Sequence, residues 1–434
     1  MITRRHFLGV SSLAAAGVAT NCQAPGGTAG RPIADGGGEL PPSIAALSSR
    51  AGEPTPISVS ERQGRIEKAR RIMGDRGIDA LMLTGGTSLV YFTNVQWGLS
   101  ERLFSVVIPV SGQPFLVCPA FEEDRAREQL HGGPLEDTQI LTWHEHEDPY
   151  ALVAGGLRER GMAAGRLGIE ETVRFVFSDG VAEEAPALSL TSGTPVTAGC
   201  RGVKDEHELA LMRLANEVTL TAYKAAYEAL EPGMTQGGFR SLVSLAHSQQ
   251  GFSGGAGVQV GQYSALPHGS VAPQVIEEGS ILLIDGGCGV EGYRSDISRT
   301  FLLGEPTEKM RQVFDIEYRA QSAALAAAAP GVEAQEVDAA ARRVIEEAGY
   351  GPEYTYFTHR VGHGIGMDGH EWPYLVKGNK LPLEPGMTFS NEPGIYIPGE
   401  FGVRLEDDMY ITEGGAALFT PQSPSLDDPF GNWP

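Results

Sequence analysis

Apolar and polar positions divide the chain into two differently patterned regions. Between residues 58 and 197, short apolar runs alternate with helical stretches. "IDALMLTGG", "FSVVIPV" and "QPFLVCPA" read as strands, and an amphipathic periodicity predicts a helix running to about Arg76. Ser60 with Gln63 is the capping box this pattern suggests for its start. Strands mixed with helices in this way imply an α/β domain built on one sheet. Beyond it, "RGVKDEHELALMRLANEVTLTAYKAAYEAL" keeps a helical period until Pro232-Gly233 stops it. Further helices are predicted over roughly 235–249, 307–329 and 333–348, the last two split by Pro330-Gly331. Hairpin-like segments near 256–270, 280–303 and 387–412 lie between them. Helices on one side of an antiparallel sheet make this second region an α+β domain.

The ends are patterned differently again. Thr3-Arg4-Arg5-His6-Phe7-Leu8 is a basic start followed by a short apolar run to Ala19, the form of a signal peptide over residues 1–23. The paired arginines before Phe-Leu resemble a twin-arginine export signal, so a periplasmic destination is expected. Cys22 is a candidate lipid anchor, although Asn21 is a poor residue just before such a cysteine. Residues 24–57, rich in Gly, Pro, Ala and Ser, read as a flexible linker. The expected organisation is therefore leader 1–23, linker 24–57, α/β domain 58–197, α+β domain 198–426 and a tail, 427–434. No later segment is long and apolar enough to cross a membrane.

Composition narrows the function. A formal charge of -22 over 434 residues argues against nucleic acid, whose phosphates would be repelled. After Cys22 only Cys118, Cys200 and Cys288 remain, which is no disulfide framework. Gly85-Gly86 has neither the spacing nor the Lys-Ser/Thr of a phosphate loop.

The costly feature is "ILLIDGGCGVEGYRSDISRTF", where an apolar run leads into Asp285 and a second acid, Asp296, follows. If 281–287 pairs with 294–300 about the 290/291 link, Asp285 lies directly opposite Asp296, with Cβ atoms about 5 Å apart. Two anions so close beside apolar residues repel and lose hydration, so a shared proton or a cation must compensate. A lone surface hairpin is the bland alternative, and Ile281 to Ile284 weigh against it. The arithmetic repeats in "NEPGIYIPGEFGVRLEDD", where a hairpin centred on Gly399 sets Glu392 opposite Glu406. Two matched pairs carry the charge that two divalent cations balance. Among the histidines, His363 stands between Gly362 and Gly364, with His359 before it, His370 after it and His268 upstream in "ALPHGS". His144 and His146 in "WHEHEDP" read as surface residues.

Taken in order, "IDGG…GYRSDISRT", "GHGIGMDGHEWP", "NEPGIY" and "VRLEDD" resemble the motifs of the pita-bread metallopeptidases, whose members include prolidase and Xaa-Pro aminopeptidase. The resemblance covers the whole second domain, while the first domain and "RGVKDEHELALMR" are similar to that family's N-terminal domain and junction. It implies that Asp285, Asp296, His363, Glu392 and Glu406 hold two divalent metal ions, Asp296 and Glu406 bridging them. His268, His359 and His370 stand where the family keeps histidines that contact substrate and the tetrahedral intermediate. Arg404 matches an arginine that supports the bridging glutamate, and Glu392 is the expected proton carrier. Manganese is the first choice of metal, with cobalt, zinc or iron as alternatives. The implied reaction is hydrolysis of the peptide bond preceding proline by a hydroxide bridging the metals, with a proline-containing peptide as substrate and a homodimer as assembly. Rival readings are a hydrolase or lyase of a small non-peptide substrate on the same scaffold, and an inactive peptide-binding protein. The complete ligand set argues against the last.

Overall fold

The computed structural model describes residues 39–434, so the twin-arginine-type leader, Cys22 and the first part of the expected linker lie outside the described residues. The helix expected before Arg76 spans Val59–Arg76, but its cap lies two residues upstream of the expected one. Ser58 accepts from the Glu61 amide, and Glu61 accepts from the Ser58 amide at 2.7 Å. A glutamate in the first turn also answers the positive end of the helix dipole, which Gln63 cannot do.

The first domain is built on one sheet, as expected, and that sheet has six strands. Its strands are β1 (Ala80–Thr84), β2 (Ser105–Pro109), β3 (Phe115–Pro119), β4 (Gln139–Trp143), β5 (Gly165–Ile169) and β6 (Leu188–Ser192), in the spatial order β4-β3-β2-β1-β5-β6. β1 is buried along its whole length because both faces are covered. Leu81 and Leu83 pack into one hydrophobic cluster, while Ala80 and Met82 pack into another. That explains a continuous apolar run where a one-sided strand would alternate. Helix Thr194–Arg201 leads into the second domain, so the expected boundary at 197 falls inside a helix.

The second domain has two main antiparallel sheets, each with its own helices. The first contains β7 (Gly254–Val260), β8 (Ile281–Val290), β9 (Tyr293–Arg294) and β10 (Ile297–Leu302). It packs on helices Glu206–Tyr227 and Gln236–Gln249 through Leu220, Tyr223, Leu242, Leu282, Ile284 and Phe301. The second contains β11 (Gly362–Gly364), β12 (Glu371–Leu375), β13 (Thr388–Asn391), β16 (Asp407–Thr412) and β17 (Gly415–Leu418). Between β13 and β16, β14 (Gly394–Ile397) and β15 (Phe401–Arg404) form a separate two-stranded ribbon. Helices Glu308–Ala327 and Ala334–Glu347 cover this side.

Three expectations are corrected. Segment 256–270 is not a hairpin: β7 pairs with β8 and ends in a 3-10 turn, Gly261–Ala265. Residues 39–57 are not free linker, since Ile44 is fully buried against the first sheet's helices and Ser43 donates to the Ala225 carbonyl at 2.7 Å. Nor is 427–434 a loose tail, because Phe430 is buried and Trp433 Nε1 donates to Thr221 Oγ1 at 3.1 Å. Composition averages over a segment and misses one well-placed apolar side chain. Cys118, Cys200 and Cys288 are all buried and free. Among the described residues, no helix is long and apolar enough to cross a membrane.

Candidate metal centre

The first hairpin has a different register from the expected one. Asp285 lies opposite Ser298, and Val290 pairs with Tyr293 at the tip. The turn is therefore Glu291-Gly292, with φ values of 49° and 87°, a pair of left-handed residues suited to a tight hairpin. The link thus falls one position later than 290/291, and Asp296 lies two residues from the place opposite Asp285. The ladder is interrupted between these acids, at Gly287 and Cys288. There Gly287 lies so close to the Ser295 backbone that an added Cβ would be 1.9 Å from the carbonyl oxygen. The carboxylates still converge: oxygens of Asp285, Asp296 and Glu406 lie within 4.8 Å of one another.

The second hairpin keeps the expected register throughout. Asn391 pairs with Asp407 and Gly394 with Arg404, so Glu392 and Glu406 face each other between them. The ladder opens at that point, and each acid is held by another element. The Glu406 amide donates to the Ser298 carbonyl at 3.2 Å, and the Glu392 amide donates to the Val361 carbonyl at 2.8 Å. The two hairpins meet at Ser298.

His363, on β11, completes the cluster. Its Nδ1 lies 3.1 Å from the Gly364 carbonyl and so carries a proton, leaving Nε2 to face Glu392 Oε1 at 3.2 Å and Asp296 Oδ2 at 4.0 Å. His370 stacks on His363 with ring centres 3.6 Å apart, and its nitrogen lies within 4.8 Å of donors from Asp296 and His363. Arg360 Nη2 donates to His370 Nδ1 at 3.3 Å, which makes Nε2 the N–H of a neutral His370 ring. Burial, then the neighbouring His363, lowers the His370 pKa and favours that neutral form.

Arg404 ties the site to its surroundings. It meets Asp285 Oδ2 at 2.8 Å and donates to Ser298 Oγ at 2.9 Å, to the Pro267 carbonyl at 3.1 Å and to Tyr396 OH at 3.1 Å. The bond to Pro267 holds the neighbouring His268, which is exposed, and no donor cluster includes His268. His359 Nδ1 faces the Arg360 carbonyl, so Nε2 accepts from Tyr396 OH at 2.7 Å. Burial lowers the His359 pKa, keeping that ring neutral.

Sequence reasoning missed Ser298, Tyr396 and Asp408. Ser298 Oγ lies 2.9 Å from Asp285 Oδ1 and 2.6 Å from Glu406 Oε2. Asp408 accepts from the Asp296 amide at 2.9 Å. Even spacing from Asp296 to Ser298 and from Glu392 to Tyr396 was a readable signal, since alternate residues share a face. The same even spacing runs from Glu406 to Asp408.

The charges show what the cluster lacks. Burial, then the surrounding carboxylates, pushes the Asp296 and Glu406 carboxyls well above the usual range. Burial also acts upward on Glu392, but the hydrogen bond and charge of His363 win and bring it down to about 2. Only Arg404, among the described residues, forms an ion pair with any of the four carboxylates besides the histidine contacts, reaching Asp285 and, at 3.9 Å, Glu406. Burial acts downward on His363, but the hydrogen bond and charge of Glu392 win and raise its pKa. Without a metal, a proton on Nε2 thus stands where a cation would lie between ring and carboxylate. This donor set fits two divalent ions.

Comparison with known proteins agrees with this chemistry. The model of metallopeptidase family M24 matches residues 210–413, and that of the creatinase/prolidase N-terminal domain matches residues 65–203. The chain is 34% identical to an Xaa-Pro dipeptidase of Lactobacillus delbrueckii subsp. lactis, over 83% of this chain and 98% of that protein. The crystal structure of dipeptidase PepE from Mycobacterium ulcerans superposes with a TM-score of 0.80 at 32% identity, covering 86% of this chain and 99% of that one. A prolidase from Thermococcus sibiricus superposes with a TM-score of 0.75 at 29% identity, covering 85% and 98%.

Proposed function

This chain belongs to metallopeptidase family M24, and from that premise we propose that it hydrolyses the peptide bond preceding proline, acting as an Xaa-Pro dipeptidase or aminopeptidase. The observation that carries the reading is the convergence of Asp285, Asp296, His363, Glu392 and Glu406 from two hairpins and a histidine strand within the pita-bread fold. These five residues are the proposed ligands. The oxygen-rich set suits manganese, cobalt or iron at least as well as zinc, and manganese is the proposed metal. When bound, two such ions supply a water acidic enough to ionise near neutral pH and polarise a carbonyl.

The chain's own groups do the rest. Glu392, beside the site and held ionised, is placed to take a proton from the attacking water and pass it to the leaving imino nitrogen. His370 Nε2–H is aimed to donate to the oxyanion that develops at the scissile carbonyl, an interaction stronger in the transition state than before it. Arg404 and Tyr396 hold His359 and the carboxylates in place, while exposed His268 is assigned to the substrate side. A bond to proline is a tertiary amide with no N–H, so recognition rests on the shape of the ring rather than on strand-like docking.

The twin-arginine-type start supports a periplasmic enzyme exported already folded, and we assign a homodimer as its assembly. The test is to incubate manganese-loaded protein with an Xaa-Pro dipeptide and an Xaa-Pro-Xaa tripeptide and to identify products by mass spectrometry. Cleavage before proline is expected, and the names of the relatives favour the dipeptide. Protein shown to hold two metals that cuts neither substrate sinks the assignment.

A further inference from the structure

His370 is exposed, yet the residues on both sides of it are gripped from outside its own sheet. Asp368, two residues before it, accepts from Thr87 Oγ1 at 2.5 Å and from Arg201 Nη2 at 2.5 Å. Thr87 is the first residue of helix Thr87–Thr93 in the first domain, and Arg201 is the last of the helix that leads into the second. Glu371, immediately after His370, accepts from the same Arg201 nitrogen at 2.5 Å and from Lys204 Nζ at 2.6 Å. Arg201 also reaches Ser88 at 3.3 Å, and Ser88 in turn donates to Glu170 at 3.2 Å, so the network runs on into the first domain.

Two cations answer two anions here, so this cluster needs no metal, in contrast to the site next to it. The Arg201–Glu371–Lys204 part is buried and would suffice to hold β12 in place. Asp368 is different: its side chain is 41% exposed, and it nevertheless takes a hydroxyl from another domain. The loop folds closely over the ion pair at Gly366, where an added Cβ would lie 2.5 Å from Glu371 Oε1. Asp368 and His370 stand two residues apart in this one loop.

We propose that Thr87, acting through Asp368 together with Arg201, sets the position of His370, so that the first domain is a positioning part of the catalytic centre. The proposal rests on the role given to His370 above. Thr87 touches neither substrate nor metal ligand in this scheme and is a positioning residue. Its hydroxyl holds the loop so that His370 presents Nε2–H to the oxyanion, a geometry that matters to the transition state more than to binding.

The test compares Thr87→Val, which removes the hydroxyl at nearly constant volume, with Thr87→Ser, which keeps it. Kinetics on the cleaved Xaa-Pro substrate are paired with amide hydrogen exchange read by mass spectrometry. For Thr87→Val, kcat is expected to fall roughly 10- to 100-fold, the range for groups that orient a site from outside it, with KM within about twofold. Exchange should rise across 362–375 and stay unchanged across 281–302, while Thr87→Ser matches the unaltered protein in both readouts. A Thr87→Val kcat within about twofold of the unaltered protein overturns the proposal, whatever exchange does. So does a serine variant as impaired as the valine one, or a loss that falls on KM alone. If the unaltered protein cleaves no Xaa-Pro substrate, the functional assignment fails separately. The exchange comparison then still decides whether Thr87 holds the loop, and no rise in Thr87→Val overturns that.

Discussion

Glu406 and Asp407 are neighbours in the chain, both buried, Glu406 just before β16 and Asp407 at its start, and their side chains meet different partners. Asp407 is surrounded by donors: Arg299 at 2.6 Å, Gln321 at 3.0 Å and Thr420 at 3.1 Å. Glu406 has the Ser298 hydroxyl and a distant Arg404, and otherwise faces other acids. Burial raises both carboxyls. Arg299 then opposes the rise at Asp407, whereas Asp296, Glu392 and Asp285 add to it at Glu406. The protein thus completes a buried acid where its work is structural and leaves one incomplete where a cation belongs. Two adjacent residues with the same functional group differ only in what the fold puts beside them.

The largest effect should come from Glu406→Gln. Hydrolysis is expected to fall by roughly a thousandfold or more, with loss of bound metal seen by mass spectrometry of the metal content. The melting temperature of the metal-free variant should not drop below that of the metal-free unaltered protein, because burial and the neighbouring acids already oppose ionisation of Glu406 and the amide is neutral. A clear drop would erase the contrast with Asp407.

Asp407→Ala should do the reverse. It leaves Arg299 buried without its carboxylate, which costs about 3–5 kcal/mol of stability in urea unfolding. The fraction that remains folded should still bind the full complement of metal. An Asp407→Ala protein of normal stability that has lost metal would reverse the roles assigned to the two residues.

The smallest effect sharpens the boundary between the two roles. Asp408, which holds the Asp296 amide, is raised by burial from its usual 3.8 to about 7. The unfolded chain ionises this acid at lower pH than the folded one. Its contribution to metal-free stability is therefore complete below about pH 4 and is lost as pH rises through about 7. Asp408→Asn should flatten that decline when unfolding is measured beside the unaltered protein between about pH 5 and about pH 7. Identical slopes in the two proteins would show that Asp408 does not carry it.

Much of the site was legible because strands alternate faces and hairpins pair by simple sums. Symmetry about Gly399 placed Glu392 opposite Glu406, and the observed register agrees. The same reasoning missed by two in the first hairpin, because the acids alone do not say where the chain turns. The turn goes to Glu291-Gly292, where Glu291 takes a left-handed conformation that a spacing argument does not anticipate. Likewise Ser58–Glu61 and Ser60–Gln63 are both acceptable boxes in one dimension, and only the observed helix start separates them.

What the sequence determined by itself was the set of donors, two acids on each of two hairpins and an imidazole between glycines, along with the two-domain α/β and α+β plan. The plan and the pairing of acids in the second hairpin follow from local periodicity, which decides the face of an element on which a side chain sits. The five donors as one set are what the family resemblance implied. The tertiary structure alone decided which elements meet: Ser298 between two carboxylates, Tyr396 between Arg404 and His359, Asp408 behind Asp296, and Thr87 against Asp368. These contacts join residues up to 281 positions apart. They depend on how sheets and helices pack around separate hydrophobic clusters, and spacing along the chain does not encode that packing.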